Sequence, residues 1–270
     1  MEWIREPAVA RMFYEGGREP LQKRLNSLFK NMKPGRERAV VSPHAGYIYS
    51  GRTAAHAIAS LAKAERFIIL GPNHTGLGPE FSIMDCGTWR TPLGKVQVDR
   101  KIADELLKNC GALEVDETAH IREHSIEVQL PFLQHRFPKF SFVPVCIKNT
   151  GYSEEFMEKC VALGHEVARA MKKDHAGLVA SSDFSHYLPK KVADEKDTAA
   201  LRKILAIDVK GFFSELSNMD ASVCGFGPIA VAMAAAKELT LRPRLIHKST
   251  SGDETGDYGS VVAYYAIGFG

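Results

Sequence analysis

Several short runs of apolar, mostly β-branched residues, separated by stretches with helical periodicity, constrain this chain more than any other feature. Ala39-Val40-Val41, Phe67-Ile68-Ile69-Leu70, Phe142-Val143-Pro144-Val145-Cys146-Ile147 and Leu178-Val179-Ala180 are unbroken by charge. A strand with one wet face alternates apolar and polar residues, so continuous runs of this kind belong to strands buried on both faces. Such strands need helices above and below them, and helix-length segments lie between these runs. The pattern predicts an α/β fold: one domain over residues 1–270 with a mixed, mostly parallel central sheet of about seven strands and helices on both faces.

The intervening segments carry their own punctuation. Residues 20–30 predict a helix with Leu21, Leu25, Leu28 and Phe29 on one side, broken by Pro34-Gly35. An alanine-rich helix follows over residues 51–64, and Phe81-Ser82-Ile83-Met84 reads as a strand. Asp99 is placed to cap a helix bearing Ile102, Leu106 and Leu107, and Ser125 to open one bearing Ile126, Leu130, Leu133 and Phe137. Ser153, followed by Glu154 and Glu155, opens a helix to about residue 173 with acids at its positive end. Helices are predicted over residues 193–206 and 209–216, and another from Pro228, a natural first-turn position, to Leu239. Arg244-Leu245-Ile246 and Ser260-Val261-Val262-Ala263-Tyr264-Tyr265 read as closing strands.

Composition narrows the function classes. The net charge is only +3, and basic doublets such as Lys172-Lys173 and Lys190-Lys191 form no stripe, so a nucleic-acid partner is not expected. The most apolar helical stretch, residues 228–236, is far too short to span a bilayer, and the amino terminus has no apolar leader segment. Five cysteines (Cys86, Cys110, Cys146, Cys160 and Cys224) are odd in number, scattered and free of any C-x-x-C pair. That argues against a disulfide framework and a structural zinc site, and a reducing cytoplasm is the expected location. Oligomeric state is not legible.

Chemistry concentrates just beyond the strand runs. Ser42-Pro43-His44-Ala45-Gly46-Tyr47, Gly71-Pro72-Asn73-His74-Thr75-Gly76 and Asp183-Phe184-Ser185-His186-Tyr187 each follow one, and each carries a histidine. Open α/β sheets bind ligands beyond the carboxyl ends of their strands. Neighbouring strands lie ~5 Å apart, so imidazoles at adjacent ends reach a common metal ion. Imidazole suits iron, copper, zinc or nickel and disfavours magnesium or calcium. Asp183, three residues before His186, is placed to orient that ring or accept its proton. Cys224 stands just before a predicted helix, where backbone N–H groups and the dipole favour a thiolate. For any one of these residues alone, a surface histidine, a turn cap or a buried small cysteine is the commoner fate.

Two competing motifs are weaker. His120-Ile121-Arg122-Glu123-His124 matches the H-x-x-E-H zinc-protease signature, but helical periodicity begins only near Ser125, so His120 is expected to precede the helix. His124 is still placed to face the strand ends. Ser181-Ser182 beside Asp183 and His186 lacks the G-x-S-x-G elbow of a serine hydrolase.

Pro43-His44-Ala45-Gly46-Tyr47, Gly71-Pro72-Asn73-His74, Thr91-Pro92-Leu93-Gly94, Glu123-His124-Ser125-Ile126-Glu127, Ser182-Asp183-Phe184-Ser185-His186-Tyr187 and Cys224-Gly225, in this order, resemble the Memo family. The resemblance spans nearly the whole chain. It implies a fold like that of class III extradiol dioxygenases, with His44 and His74 as metal ligands, Cys224 where those enzymes carry a carboxylate ligand, His186 as the acid–base histidine and Asp183 in the same pocket. Fe(II) or copper is the implied cofactor, with zinc as a further option. A thiolate in place of the carboxylate departs from the oxygen-activating facial triad, so ring cleavage does not carry over. The expectation is a metal-dependent oxidoreductase acting on a small molecule or peptide in the cleft. A peptide-binding module without catalysis, with Tyr47, Tyr49 and Trp89 placed equally well as aromatic walls or as ordinary core, and a metallohydrolase are the alternatives.

Overall fold

The computed structural model describes residues 3–270. In chain order the elements are β1 (Ile4–Arg5), α1 (Arg18–Leu28), β2 (Ala39–Ser42), α2 (Tyr47–Ser60), β3 (Arg66–Pro72), β4 (Phe81–Ile83), β5 (Thr88–Thr91), β6 (Gly94–Val98) and α3 (Arg100–Asn109). They continue with β7 (Glu114–Val115), α4 (Thr118–Ile121), α5 (Leu130–Arg136), β8 (Ser141–Ile147), α6 (Glu154–Lys173), β9 (Gly177–Ser181) and β10 (His186–Leu188). The chain closes with α7 (Lys190–Leu205), α8 (Val209–Met219), α9 (Phe226–Glu238), β11 (Pro243–Thr250), α10 (Gly252–Thr255) and β12 (Val261–Phe269).

The four apolar runs form the centre of one mixed sheet, in the order β8-β3-β9-β2, all parallel. Their side chains alternate between two cores, as strands covered on both faces must. Val41, Ile68, Leu70, Val143 and Leu178 pack towards α6 and α9, while Val40, Phe67, Ile69, Phe142 and Val179 pack towards α1, α2 and α5. Asp99 accepts from Ile102 N at the start of α3, and Ser153 accepts from Phe156 N at the start of α6, as their positions predicted.

The sheet has 12 strands rather than about seven. The difference lies at its margins, where short antiparallel and two-residue strands are fixed by pairing partners far away in sequence. β5 and β6 make a hairpin around Pro92-Leu93, with Thr91 opposite Gly94. β1 adds to β5, β7 to β4, β10 and β11 to β12. The helix expected from Ser125 begins later: a short 3-10 turn over Glu127–Gln129 leads into α5, so Ser125 is loop. The alanine-rich helix begins and ends earlier than expected, at Tyr47 and Ser60. No helix of the described residues is long and apolar enough to cross a membrane.

Candidate functional site

The order β3-β9-β2 decides which loops meet. His74, His44 and Asp183 each lie two residues beyond the last residue of β3, β2 and β9, so Asp183 emerges between the two histidines. Its Oδ1 accepts a hydrogen bond from His44 N at 2.9 Å. Cys224 arrives from the other direction, just ahead of α9. Gly225 permits this, because a Cβ there would lie 2.3 Å from the Ser181 carbonyl oxygen. The Cys224 Sγ then sits 3.2 Å from His44 Nε2 and 3.2 Å from the Asp183 N–H that it accepts.

The surrounding hydrogen bonds fix the histidine tautomers. Ser181 Oγ gives its proton to the Ser125 carbonyl at 2.7 Å, so towards His44 it accepts, and His44 Nδ1 is the donor at 2.8 Å. Gln129 Nε2 locks the same serine at 3.0 Å. At the second histidine, Glu123 Oε1 lies 2.9 Å from His74 Nδ1, and Oε2 accepts from His74 N at 2.6 Å. A carboxylate accepts only, so His74 Nδ1 also donates. In both rings Nδ1 is thus committed to a neighbour, and Nε2 is the nitrogen left for a metal.

His44, His74 and Cys224 each offer a ligand atom, and these atoms lie within 4.8 Å of one another. Ligands ~2.0–2.3 Å from a shared ion are roughly 3.3–4.4 Å apart, so side-chain adjustments of a few tenths of an ångström complete a coordination sphere. Two imidazoles and a soft sulfur, with carboxylate and hydroxyl partners behind the rings, fit a transition metal. His74, Glu123 and His124 form a second such group sharing His74. There Glu123 Oε1 already accepts from the backbone N–H groups of His124 and Ser125, both at 2.9 Å, so its role is to orient His74.

A cleft of about 550 Å³ opens here, lined by His44, His74 and Asp183 together with His124, His186, Tyr49, Tyr187, Tyr264 and Phe13. The three rings of His44, His74 and His124 have centroids 4.6–5.4 Å apart. His186 Nδ1 donates to the Ser222 carbonyl at 2.9 Å, leaving its Nε2 as an acceptor.

Burial and local charge set the protonation states. Burial, reinforced by the neighbouring imidazoles, holds His44 well below the ordinary histidine range, so it is neutral. Burial also brings His124 down to about 4. Burial alone pushes Glu123 up, but the His74 hydrogen bond, the electrostatic influence of the His74 and His124 rings and the Ser125 N–H outweigh it and bring the group to about 2. Asp183, with fewer compensating donors, is pushed up by burial to about 7. It takes either protonation state near neutrality.

Other expectations need correction. Trp89 is fully buried in the core beneath Arg5 and is not a cleft wall. Tyr47 is buried as well, its hydroxyl donating to the Val128 carbonyl; of the three proposed aromatics only Tyr49 lines the cleft. Cys224 does not favour the thiolate by itself: burial raises its pKa well above the usual thiol range, Asp183 adds to this, and the Asp183 and Ser182 donors do not compensate. His120 lies in α4, fully buried, while His124 lies in the loop beyond it, so the H-x-x-E-H residues do not share one helical face. Ser181 is a partner of His44, not a nucleophile paired with His186. The orienting roles of Glu123, Ser181 and Gln129 were not assigned from the sequence. Ser181, polar at the end of a buried strand, was the available signal.

A family model described as Memo-like protein matches residues 5–268. The chain belongs to the Memo family. A MEMO1 family protein of Methanosarcina barkeri is 43% identical over 271 residues, covering 98% of this chain and 99% of the relative. One from Sulfurisphaera tokodaii is 40% identical, covering 99% of each chain. The crystal structure of an uncharacterized protein from Escherichia coli K12 is similar in fold, with a TM-score of 0.58 at 13% identity, covering 87% of this chain and 100% of that one. This Memo family chain thus shares nearly its whole length with these relatives.

Proposed function

We propose that this protein is a metal-dependent redox protein that holds Fe(II) or copper through His44, His74 and Cys224. The observation that carries the reading is the approach of two imidazoles and one sulfur, from three separate segments, to within 4.8 Å of one another. The finer likeness to class III extradiol dioxygenases belongs to the same reading, supported by histidines at the ends of two parallel strands that flank β9, with Cys224 where a carboxylate is expected. When bound, such a metal supplies electron transfer and an open coordination position.

The chain's own residues then have separable tasks. Ser181 and Glu123 hold the two rings with Nε2 forward. His186, fixed by the Ser222 carbonyl, presents an Nε2 that can take a proton from a substrate group in the cleft. Asp183, near its midpoint at neutral pH, can hold or return one. A reducing, thiol-preserving cytoplasm suits the partly buried Cys224.

The test is metal analysis of untagged protein purified without chelator. About one iron or copper per chain is expected, with less than a tenth of that in His44→Ala. Equal metal content in the two forms overturns the reading. One observation favours a second reading, in which the cleft receives a peptide: Tyr49 and Tyr187 stand exposed at its rim, Tyr187 at 77%. Undiminished peptide affinity in a His44→Ala, His74→Ala, Cys224→Ala triple variant would support that module.

A further inference from the structure

At the opposite end of the parallel strands lies a second hollow, of about 430 Å³, whose chemistry differs entirely from that of the cleft. It is bounded by the residues leading into β2, the connection from α2 to β3 and the connection from α6 to β9, with Arg36, Arg38, Lys63, Lys172 and His175 on its walls. The first four are permanent cations, so this one hollow gathers four positive charges in a chain whose net charge is +3. The carboxylate in the lining, Glu37, is already engaged by Arg244 at 2.6 Å.

Cations near helix carboxyl ends commonly serve the helix carbonyls. Only Arg38 does so here, donating to the Met171 carbonyl at 2.7 Å. Among the described residues, Arg36, Lys63 and Lys172 have neither a side-chain hydrogen bond nor an ion pair. Like charges held together without counter-ions repel one another, and a bound anion removes that repulsion.

The backbone adds a second observation. Asp174, near the helical region at φ −105° and ψ 4°, is followed by His175 in the left-handed region at φ 53°. Such a pair turns successive N–H groups to one side, a common anion cradle. No backbone or side-chain acceptor takes the N–H of His175 or of buried Ala176 among the described residues. Buried N–H groups without partners are rare.

We propose that this hollow is a binding site for a small polyanion bearing two or more phosphate groups. Arginines match phosphate oxygens with paired N–H groups, and the lysines add point charge. The lining offers alanines and Gly177 and, apart from the His175 imidazole, no ring, so the phosphates rather than a stacked base are the main recognised groups. The cations stand in one hollow rather than along a stripe, which favours a compact ligand over a nucleic-acid backbone.

The test is calorimetric titration of the full chain with inorganic pyrophosphate at about 150 mM salt, where exposed charges beyond ~8 Å are screened. One site per chain is expected, at least tenfold weaker in Arg36→Ala/Lys63→Ala and unchanged in Lys23→Ala/Lys139→Ala, a control removing exposed lysines elsewhere. Unfolding temperatures without ligand, equal to wild type, establish that the variants are folded. His44→Ala must titrate like wild type, which separates this site from chelation at the cleft and from the redox reading. Equal affinity in the two double variants overturns the proposal, as does loss of binding in His44→Ala or the absence of binding at this salt. Binding of a hexaglutamate peptide in place of pyrophosphate also overturns it, in favour of an acidic protein partner.

Discussion

At the carboxyl ends of β2, β3 and β9, His44, His74 and Asp183 are tied to neighbours by hydrogen bonds of 2.6–2.9 Å. At the amino ends of the same strands, Arg36, Lys63 and Lys172 carry full charges with no side-chain partner among the described residues. At the first end His44, Asp183, Ser181 and Glu123 are buried behind the cleft, and every buried donor and acceptor needs an assigned counterpart. The second stays wet and can leave its charges to solvent. The contrast teaches that rigidity at the cleft comes from buried polar networks, and that these networks are where substitution is costly.

The largest stability effect is expected at Glu127, which extends the cleft-side network. It pairs with Arg5 and accepts from Ala8 N at 2.8 Å, Val9 N at 3.1 Å and Tyr14 Oη at 2.6 Å, with all but the Ala8 bond fully buried. Glu127→Ala leaves Arg5 charged and buried, and a loss of about 3–5 kcal/mol in urea unfolding is expected. A loss below ~1 kcal/mol would break the claim that this end is network-held.

Next comes a pH effect at Asp197, which accepts from the N–H and hydroxyl of Ser185, the residue before His186. Burial pushes this carboxyl up from 3.8 to about 7, outweighing the Ser185 donors. The folded chain thus retains a proton that the unfolded chain has already released above pH ~4. Its contribution is favourable at low pH and is lost as pH rises to about 7. Between pH 5 and 8, wild type should lose about 2–3 kcal/mol more than Asp197→Asn. Parallel pH profiles of the two would sink the assignment.

Glu123→Gln sharpens the comparison at the proposed ligands themselves. Replacing the carboxylate behind His74 is expected to lower metal affinity about 10–100-fold, read by competition with a chromophoric chelator. The smallest effect belongs to the other end: Arg36→Ala should change stability by less than about 0.5 kcal/mol. A larger loss would mean that the basic hollow is structural.

Much of this was legible in the residues. The apolar runs became the four central parallel strands, and the loops behind three of them did converge. Asp99 and Ser153 cap helices because capping is a local bond, three residues long. The sheet margins were missed for the converse reason. Two-residue strands such as Ile4–Arg5 exist only because a distant partner is present. Lys95-Val96-Gln97-Val98 does alternate as a strand edge should, so β6 carried a readable signal that was not used. Trp89 was misplaced because aromatic character does not say which side of a sheet a ring faces.

The sequence alone determined the strand-forming runs, the helix starts and the presence of metal-competent side chains just past the strands, because propensity, periodicity and capping act over a few residues. Only the tertiary structure decided that Glu123 and Ser181 stand behind His74 and His44, and that burial raises the pKa of Cys224. Those depend on which strands become neighbours and how much water is excluded between them, and both are properties of contacts between residues far apart in the chain.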